Sequence, residues 1–240
     1  MSRPQKLFPD RLQWYARKIR EKGPRGVYRH LILRIPPWEH ELVIDKYCEW
    51  KFGISTAAEI TAAELGHTDP DWHDYAPSYY LSLRRILAAL PLAGEDVFVD
   101  FGSGLGRCLV YGATYPMRRV IGVEYSSVLN EAARDNIARA ASHIKCEIEV
   151  VRADAAQYRI PDDATIFYFG NPFKGSVLAA VLENIRASLG RAPRRIYLVS
   201  HSHEEHYPFE QQVRRCPWLG LYREVKLHRG YRAWIYTNDG

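Results

Sequence analysis

The chain has 240 residues, 47% of them hydrophobic, which suits one α/β domain carrying an extension. No apolar run reaches the roughly 20 residues that span a bilayer, and MSRPQKLFPDRLQWYARK has no apolar signal core, so neither a membrane span nor a cleaved leader is expected and the expected location is cytoplasmic. The net charge of +5 is uneven: residues 1–34 hold ten Lys/Arg and two acids, a balance of +8, while the remainder comes to −3.

Residues 10–34 read as two short, basic, amphipathic helices broken at Gly23-Pro24, with Trp14, Tyr15 and Ile19 near helical spacing. Such an arm can attract nucleic acid, anionic lipid or an acidic partner, or be no more than a solvated helix face. Residues 41–65 read as mostly helical with a turn at Gly53. Residues 67–78 form a polar, aromatic-rich loop, and 79–90 an amphipathic helix closed by Pro91. From Asp96 onward strands and helices alternate. Strands are predicted at 97–101, 119–125, 147–154, 165–170 and 194–200. Helices are predicted from the glycine turn to about Tyr115, from a Ser126 or Ser127 cap to about Ser142, and over 175–189. The runs 222–227 and 232–237 read as a hairpin. Continuous apolar strands separated by helices predict a doubly wound, mostly parallel α/β sheet covered on both faces. Cys48, Cys108, Cys146 and Cys216 form no CxxC pair and are expected to be reduced and packed.

The strongest local signal is Asp100-Phe101-Gly102-Ser103-Gly104-Leu105-Gly106-Arg107, between a strand and a helix. Glycines there allow a sharp turn and close approach of a ligand. A dinucleotide fingerprint needs G-x-G-x-x-G/A, and Arg107 stands at its third place; a Walker loop needs G-K-[ST], which is absent. Asp100 would repel a diphosphate but suits an ammonium. Glu124 ends the second strand, where a carboxylate can accept both hydroxyls of a ribose. Asp154-Ala155 follows the third strand, placed to meet an adenine amino group. Three acids at three successive strand ends match an adenosine carrying an amino acid. The alternative is a set of ordinary turns and caps.

With these residues the sequence resembles the class I, seven-stranded S-adenosylmethionine-dependent methyltransferases over roughly residues 75–237. VFVDFGSGLGR, VIGVEYS and RADA look like the family's first three cofactor motifs. More narrowly it resembles a bacterial group that shares a segment like Glu49–Thr56, a Tyr-x-Pro like Tyr75-Ala76-Pro77, and an Asn-Pro-Phe after the fourth strand. The glycine loop is also similar to that of the seven-stranded histone lysine methyltransferases. The resemblance implies the sheet order 3-2-1-4-5-7-6. It implies S-adenosyl-L-methionine as cofactor, held by Asp100, Phe101, Gly102, Ser103, Gly104, Gly106, Arg107, Glu124, Tyr125, Asp154, Ala155 and Asn171. It also implies a helical extension and lid over 1–74 and the cofactor-binding domain over 75–240.

Catalytic candidates follow from the same comparison. Asn171-Pro172-Phe173 resembles the [DN]-P-P-[YF] motif of amino-methyltransferases with one proline missing, in which the Asn orients the target amine and the aromatic ring packs on the substrate. Alternatively Asn171 caps the next helix. Tyr75 and Pro77 are lid candidates over the methionine end of the cofactor, or aromatic packing against the sheet. His201, first of the run His201-Ser202-His203-Glu204-Glu205-His206 after the fifth strand, is the candidate general base; the run also reads as a solvated loop, and no metal site is expected. The expected reaction is methyl transfer to an amine or hydroxyl of a small molecule or a protein or peptide. A nucleic-acid acceptor held by the basic arm is the second reading, less favoured because no nucleic-acid module is recognisable.

Overall fold

The computed structural model describes residues 37–61, 64–65, 74–203, 208–228 and 230–238. The helices expected over 10–34, with the basic arm, lie outside these residues. The chain divides into two compact units, 1–43 and 44–240, and the second holds the sheet and the cleft. No helix among the described residues is long and apolar enough to cross a membrane.

Helix α1 (Pro37–Phe52) ends at Gly53, and among the described residues of the rest of 41–65 the expected helix does not form. The reason lies in the local hydrogen bonds. Glu49 turns back to take the backbone N–H of Thr56, and Asn136 bonds both the N–H and the C=O of Ser55, so this stretch is held extended. Ile60 then pairs with Tyr75 in an isolated antiparallel bridge. Helix α2 (Tyr80–Ala89) buries Leu83, Ile86 and Leu87, spaced three and four apart, and stops before Pro91.

The sheet has seven strands: β1 (Val97–Phe101), β2 (Arg119–Glu124), β3 (Glu147–Arg152), β4 (Ile166–Phe169), β5 (Tyr197–His203), β6 (Gly220–Lys226) and β7 (Tyr231–Thr237). Their order is β3-β2-β1-β4-β5-β7-β6, with β7 antiparallel to its neighbours and the first five strands parallel. This is the predicted architecture. Between the strands run α3 (Arg107–Gly112), α4 (Ser127–Arg139) and α5 (Gly175–Arg191). Ser126 caps α4, as expected, by accepting from the N–H of Leu129. A short helix α6 (Pro208–Val213) has no signal in the sequence pattern. β5 starts later than predicted because Arg194 is committed elsewhere: its guanidinium bonds the carbonyls of Ala164, Ser188 and Ala192. It also runs further, because β7 pairs with it as far as His203.

Strand side chains alternate between faces. Val97, Val99 and Phe101 of β1 join one apolar cluster with Phe167 and Phe169 of β4 and with α5. Phe98, Ile166, Tyr168, Tyr197 and Val199 join the other, under α2 and α3. The same alternation carries Asp100 onto the α2/α3 face. Asp100 pairs across with Gly122 on β2 and Tyr168 on β4, and Tyr168 pairs with Val199 on β5. Two residues beyond Gly122 and Val199, on that same face, stand Glu124 and His201. The fold therefore gathers Glu124, Asp100, Tyr168 and His201 along one face at the carboxyl ends of four adjacent strands.

Candidate active site

The cleft at these strand ends is lined by Asp100, Gly102, Ser103, Glu124, Asn171 and Tyr75, among others. Asp100 is 3% exposed. Burial first, and the nearby Glu124 charge second, hold its carboxyl well above the usual carboxylate range. Among the described residues the Cys108 thiol is its hydrogen-bonding neighbour. A buried carboxyl in this position would be relieved by a cation, which is the property an ammonium-bearing ligand supplies. Glu124 is fixed from two sides, one oxygen accepting from Gly104 N–H at 3.0 Å and the other from Ser126 N–H at 2.8 Å. Ser103 Oγ is buried with no partner among the described residues.

The glycine loop is tight for a physical reason. Gly102 and Gly104 have φ of +72° and +52°. A Cβ on Gly102 would stand 2.5 Å from Cβ of Pro172, and one on Gly104 would overlap the Tyr75 ring. Tyr75 thus lies directly on the loop, its hydroxyl donating to the carbonyl of Thr56 at 2.9 Å. The cleft encloses only about 70 Å³, against roughly 300–1,000 Å³ for pockets that take cofactor-sized ligands. Tyr75 lines the cleft on the side of Gly104.

Arg107 lines the cleft and is also tied to α1. It is 2% exposed, and its guanidinium binds Asp45 at 2.5 Å and Glu49 at 3.4 Å, both on α1. It also donates to Thr56 Oγ1 at 2.7 Å and the carbonyl of Ser78 at 3.1 Å, and covers the Tyr80 ring at 4.7 Å. It clasps α1 and the segment before β1 to the glycine loop. Asp45, Glu49 and Thr56 were not singled out from sequence; the segment Glu49–Thr56 marked the place but not its Arg partner.

Asp154 accepts from the N–H of Ala156 at 2.9 Å and from Gln157, capping the turn after β3, and Ala155 is buried beneath it. Tyr125 is 49% exposed, and Phe101 is wholly buried, stacked on Phe169 in the core. Gly106, at φ +83°, packs against Ala133 of α4.

At the end of β4, Asn171 has φ +59°, unusual for a residue with a side chain and costing on the order of 1 kcal/mol or more. The alternative of a helix cap is not what is seen: the N-cap of α5 is Lys174, with no side-chain cap bond. The strained turn instead presses Pro172 onto Gly102 and leaves Asn171 lining the cleft. Phe173 requires a correction. Its ring is 2% exposed and packs edge-on against Phe101 and Phe169, so it belongs to the core and not to a substrate surface.

His201 is on β5, not after it, and is 5% exposed. Its Nδ1 lies 2.7 Å from the Tyr168 hydroxyl and 3.2 Å from Ser78 Oγ, which are 2.8 Å from each other. Burial lowers the imidazole pKa to about 4, so it is neutral at ordinary pH. Sequence reasoning missed Tyr168 and Ser78, because a tyrosine inside IFYF reads as core. Residues 204–207 lie outside the described residues, and no metal-binding cluster occurs among those described. The four cysteines are free thiols.

Residues 75–148 match the model of the histone methylation protein DOT1 family. No curated protein matches the chain in sequence. Solved structures with a similar fold include the following three. A precorrin 8w decarboxylase from Methanobacterium thermoautotrophicum is 20% identical, with 70% of this chain and 94% of that one covered at a TM-score of 0.52. A precorrin-6y C5,15-methyltransferase from Geobacter metallireducens is 15% identical, with 67% and 89% covered and a TM-score of 0.52. A SAM-dependent methyltransferase from Aquifex aeolicus is 13% identical, with 65% and 88% covered and a TM-score of 0.50. The seven-stranded, Rossmann-like sheet is the fold these structures share, and over residues 75–148 the chain is similar to the histone methylation protein DOT1 family.

Proposed function

We propose that the chain binds S-adenosyl-L-methionine in the cleft at Asp100–Gly106 and transfers a methyl group to an amine or hydroxyl of a small molecule or a protein or peptide. The observation that carries this is the acid series: Asp100, Glu124 and Asp154 at or just past the ends of β1, β2 and β3, beside a glycine loop too tight for side chains. The residues present fit the cofactor. Asp100 would take its ammonium, Glu124 its ribose hydroxyls, and the turn at Asp154-Ala155 its adenine edge. Ser103 Oγ offers an unused hydroxyl beside them. Tyr75 must lift from Gly104 to admit it, which makes residues 74–78 the lid.

When bound, the cofactor supplies an electrophilic methyl on a positively charged sulfur. The protein's part is positioning and exclusion of water. Asn171, held in a left-handed turn, lines the cleft, where its amide oxygen can accept the hydrogens of an amine and orient the lone pair. His201, neutral and buried, contributes no charge to that end.

Calorimetry with S-adenosylmethionine is expected to give a dissociation constant in the micromolar range, and Gly104→Arg to abolish it by filling the loop. Asn171→Ala should keep that affinity and lose transfer. Absence of binding heat for the unaltered chain would remove the reading.

A further inference from the structure

Helix α1 has its polarity reversed. A surface helix ordinarily turns apolar residues to the core and charges to water. Over residues 41–52 the three acids of α1 are instead buried or half-buried: Glu41 is 1% and Asp45 7% exposed, and Glu49 joins Asp45 on the Arg107 guanidinium. The exposed side chains are Leu42 (46%), Val43 (53%), Tyr47 (56%) and Trp50 (76%), with Lys46 and Lys51. Spaced mainly three and four apart, these six share one side of the helix. The Tyr47 and Trp50 rings lie 5.9 Å apart, so the apolar groups form one patch and not scattered points.

The reversal has a local cause. Arg107 is buried and draws Asp45 and Glu49 to itself, which leaves the outer side of the helix with no acid. The two lysines on that side make no ion pair among the described residues; the only neighbour recorded for either is the Phe52 ring, 5.4 Å from Lys51 Nζ. The face is therefore apolar, aromatic and purely cationic.

Its charge decides what can cover it. Residues 1–34 carry a balance of +8, the sign this face already has, so they are not its complement. A second copy laid on it across a two-fold axis sets lysines against lysines. The phosphates of a nucleic acid answer Lys46 and Lys51 but give Leu42, Val43 and Trp50 no apolar partner. An anionic lipid surface answers both kinds of group. Tryptophan and tyrosine rings sit at headgroup level, aliphatic side chains enter the acyl boundary, and lysines reach back to the headgroup charges. The positive charge of residues 1–34 adds to the same attraction.

We propose that the outer side of α1, residues 42–51, is a docking face for an anionic lipid membrane, on which the protein lies without crossing it. The inference is independent of the methyltransferase reading. If both hold, the Arg107 clasp ties the membrane-facing helix to the glycine loop.

The test is co-sedimentation of the full chain with vesicles of phosphatidylcholine alone and of phosphatidylcholine containing one third phosphatidylglycerol. Binding to the mixed vesicles is expected, much weaker with phosphatidylcholine alone and weaker at high salt. Trp50→Ser should weaken it by about tenfold or more. The double variant Lys46→Gln/Lys51→Gln should weaken it by roughly 20–30-fold, about fivefold for each charge. Because the altered side chains are exposed, both variants should melt within about 2 °C of the parent. No binding to the mixed vesicles, or equal binding to the two kinds, would overturn the inference. A Trp50→Ser chain that binds as the parent does would also overturn it, leaving residues 1–34 as the whole source of attraction. So would a Trp50→Ser chain that melts far below the parent, since the ring would then be packed and not presented. Two further outcomes reassign the face and overturn the inference as well. One is loss of binding to a short DNA duplex in the variants with vesicle binding unchanged, which gives the face to nucleic acid. The other is a parent that sediments as a dimer and a Trp50→Ser chain that sediments as a monomer, which gives it to a second copy.

Discussion

Asp100 and His201 are both buried polar residues at the strand ends, and they are buried on different terms. Asp100 is held as an acid in want of a cation, whereas His201 is kept neutral by desolvation alone. The second has a consequence for stability. An unfolded histidine takes up its proton near pH 6.5, and His201 does so in the folded chain near pH 4. Below pH 6.5 the unfolded state therefore binds a proton that the folded state refuses. Stability is fully present above pH 6.5 and falls as the pH descends towards 4, by roughly 3 kcal/mol at most. His201→Gln has nothing to titrate. Urea unfolding at pH 7.5 and pH 4.5 should show a loss smaller by roughly 2–3 kcal/mol in this variant than in the parent. Equal losses would mean that His201 is not held neutral. Asp100 and Glu124 stood out in the sequence because an acid that ends an apolar strand has no packing role to explain it. Ser78 and Tyr168 did not, since their importance lies in a contact across 90 residues of chain that only the strand register creates.

Among the elements, the helices and strands of the sheet follow from apolar runs and their interruptions, and those were legible within a few residues. The segment around α1 was not. Its conformation is decided by Arg107, which reaches back to Asp45 and Glu49 across a long stretch of chain, and by Asn136, which holds Ser55. No window of local sequence contains both partners of either bond. Arg107 also stands where a dinucleotide fingerprint would have its third glycine, so the residue that departs from that fingerprint is the one that ties α1 to the glycine loop. Truncating one partner of such a buried pair leaves the other charges unpaired and typically costs about 3–5 kcal/mol. Arg107→Ala should lose stability of that order in denaturant titration. Amide exchange should rise first at 54–61 and 75–78, the segments the clasp ties down, ahead of β4 and β5. A loss below about 1 kcal/mol would show that the clasp is a surface-like pair of little weight.

At the level of the whole molecule, the site draws on the ends of four adjacent strands, the segment before α2 and, through Arg107, on α1. A ligand that binds it therefore stabilises the unit as a whole. S-adenosylhomocysteine, which keeps the ammonium and ribose of the cofactor, adds about 2.7 kcal/mol when present at 100 times its dissociation constant. In a unit of this size each kcal/mol is worth about 2–4 °C, so the melting temperature should rise by roughly 5–10 °C. Asp100→Asn separates folding from binding. Without ligand, the variant removes a buried carboxyl that burial and Glu124 both oppose, so its own melting temperature should equal or exceed that of the parent. With ligand, it has lost the counter-charge for the ammonium, so the shift should largely disappear. A variant that is more stable alone and indifferent to the ligand is the mark of a residue kept for binding at the expense of folding. An Asp100→Asn chain that melts lower and still shifts as the parent does would make Asp100 a structural residue, and the acid series would lose its first member.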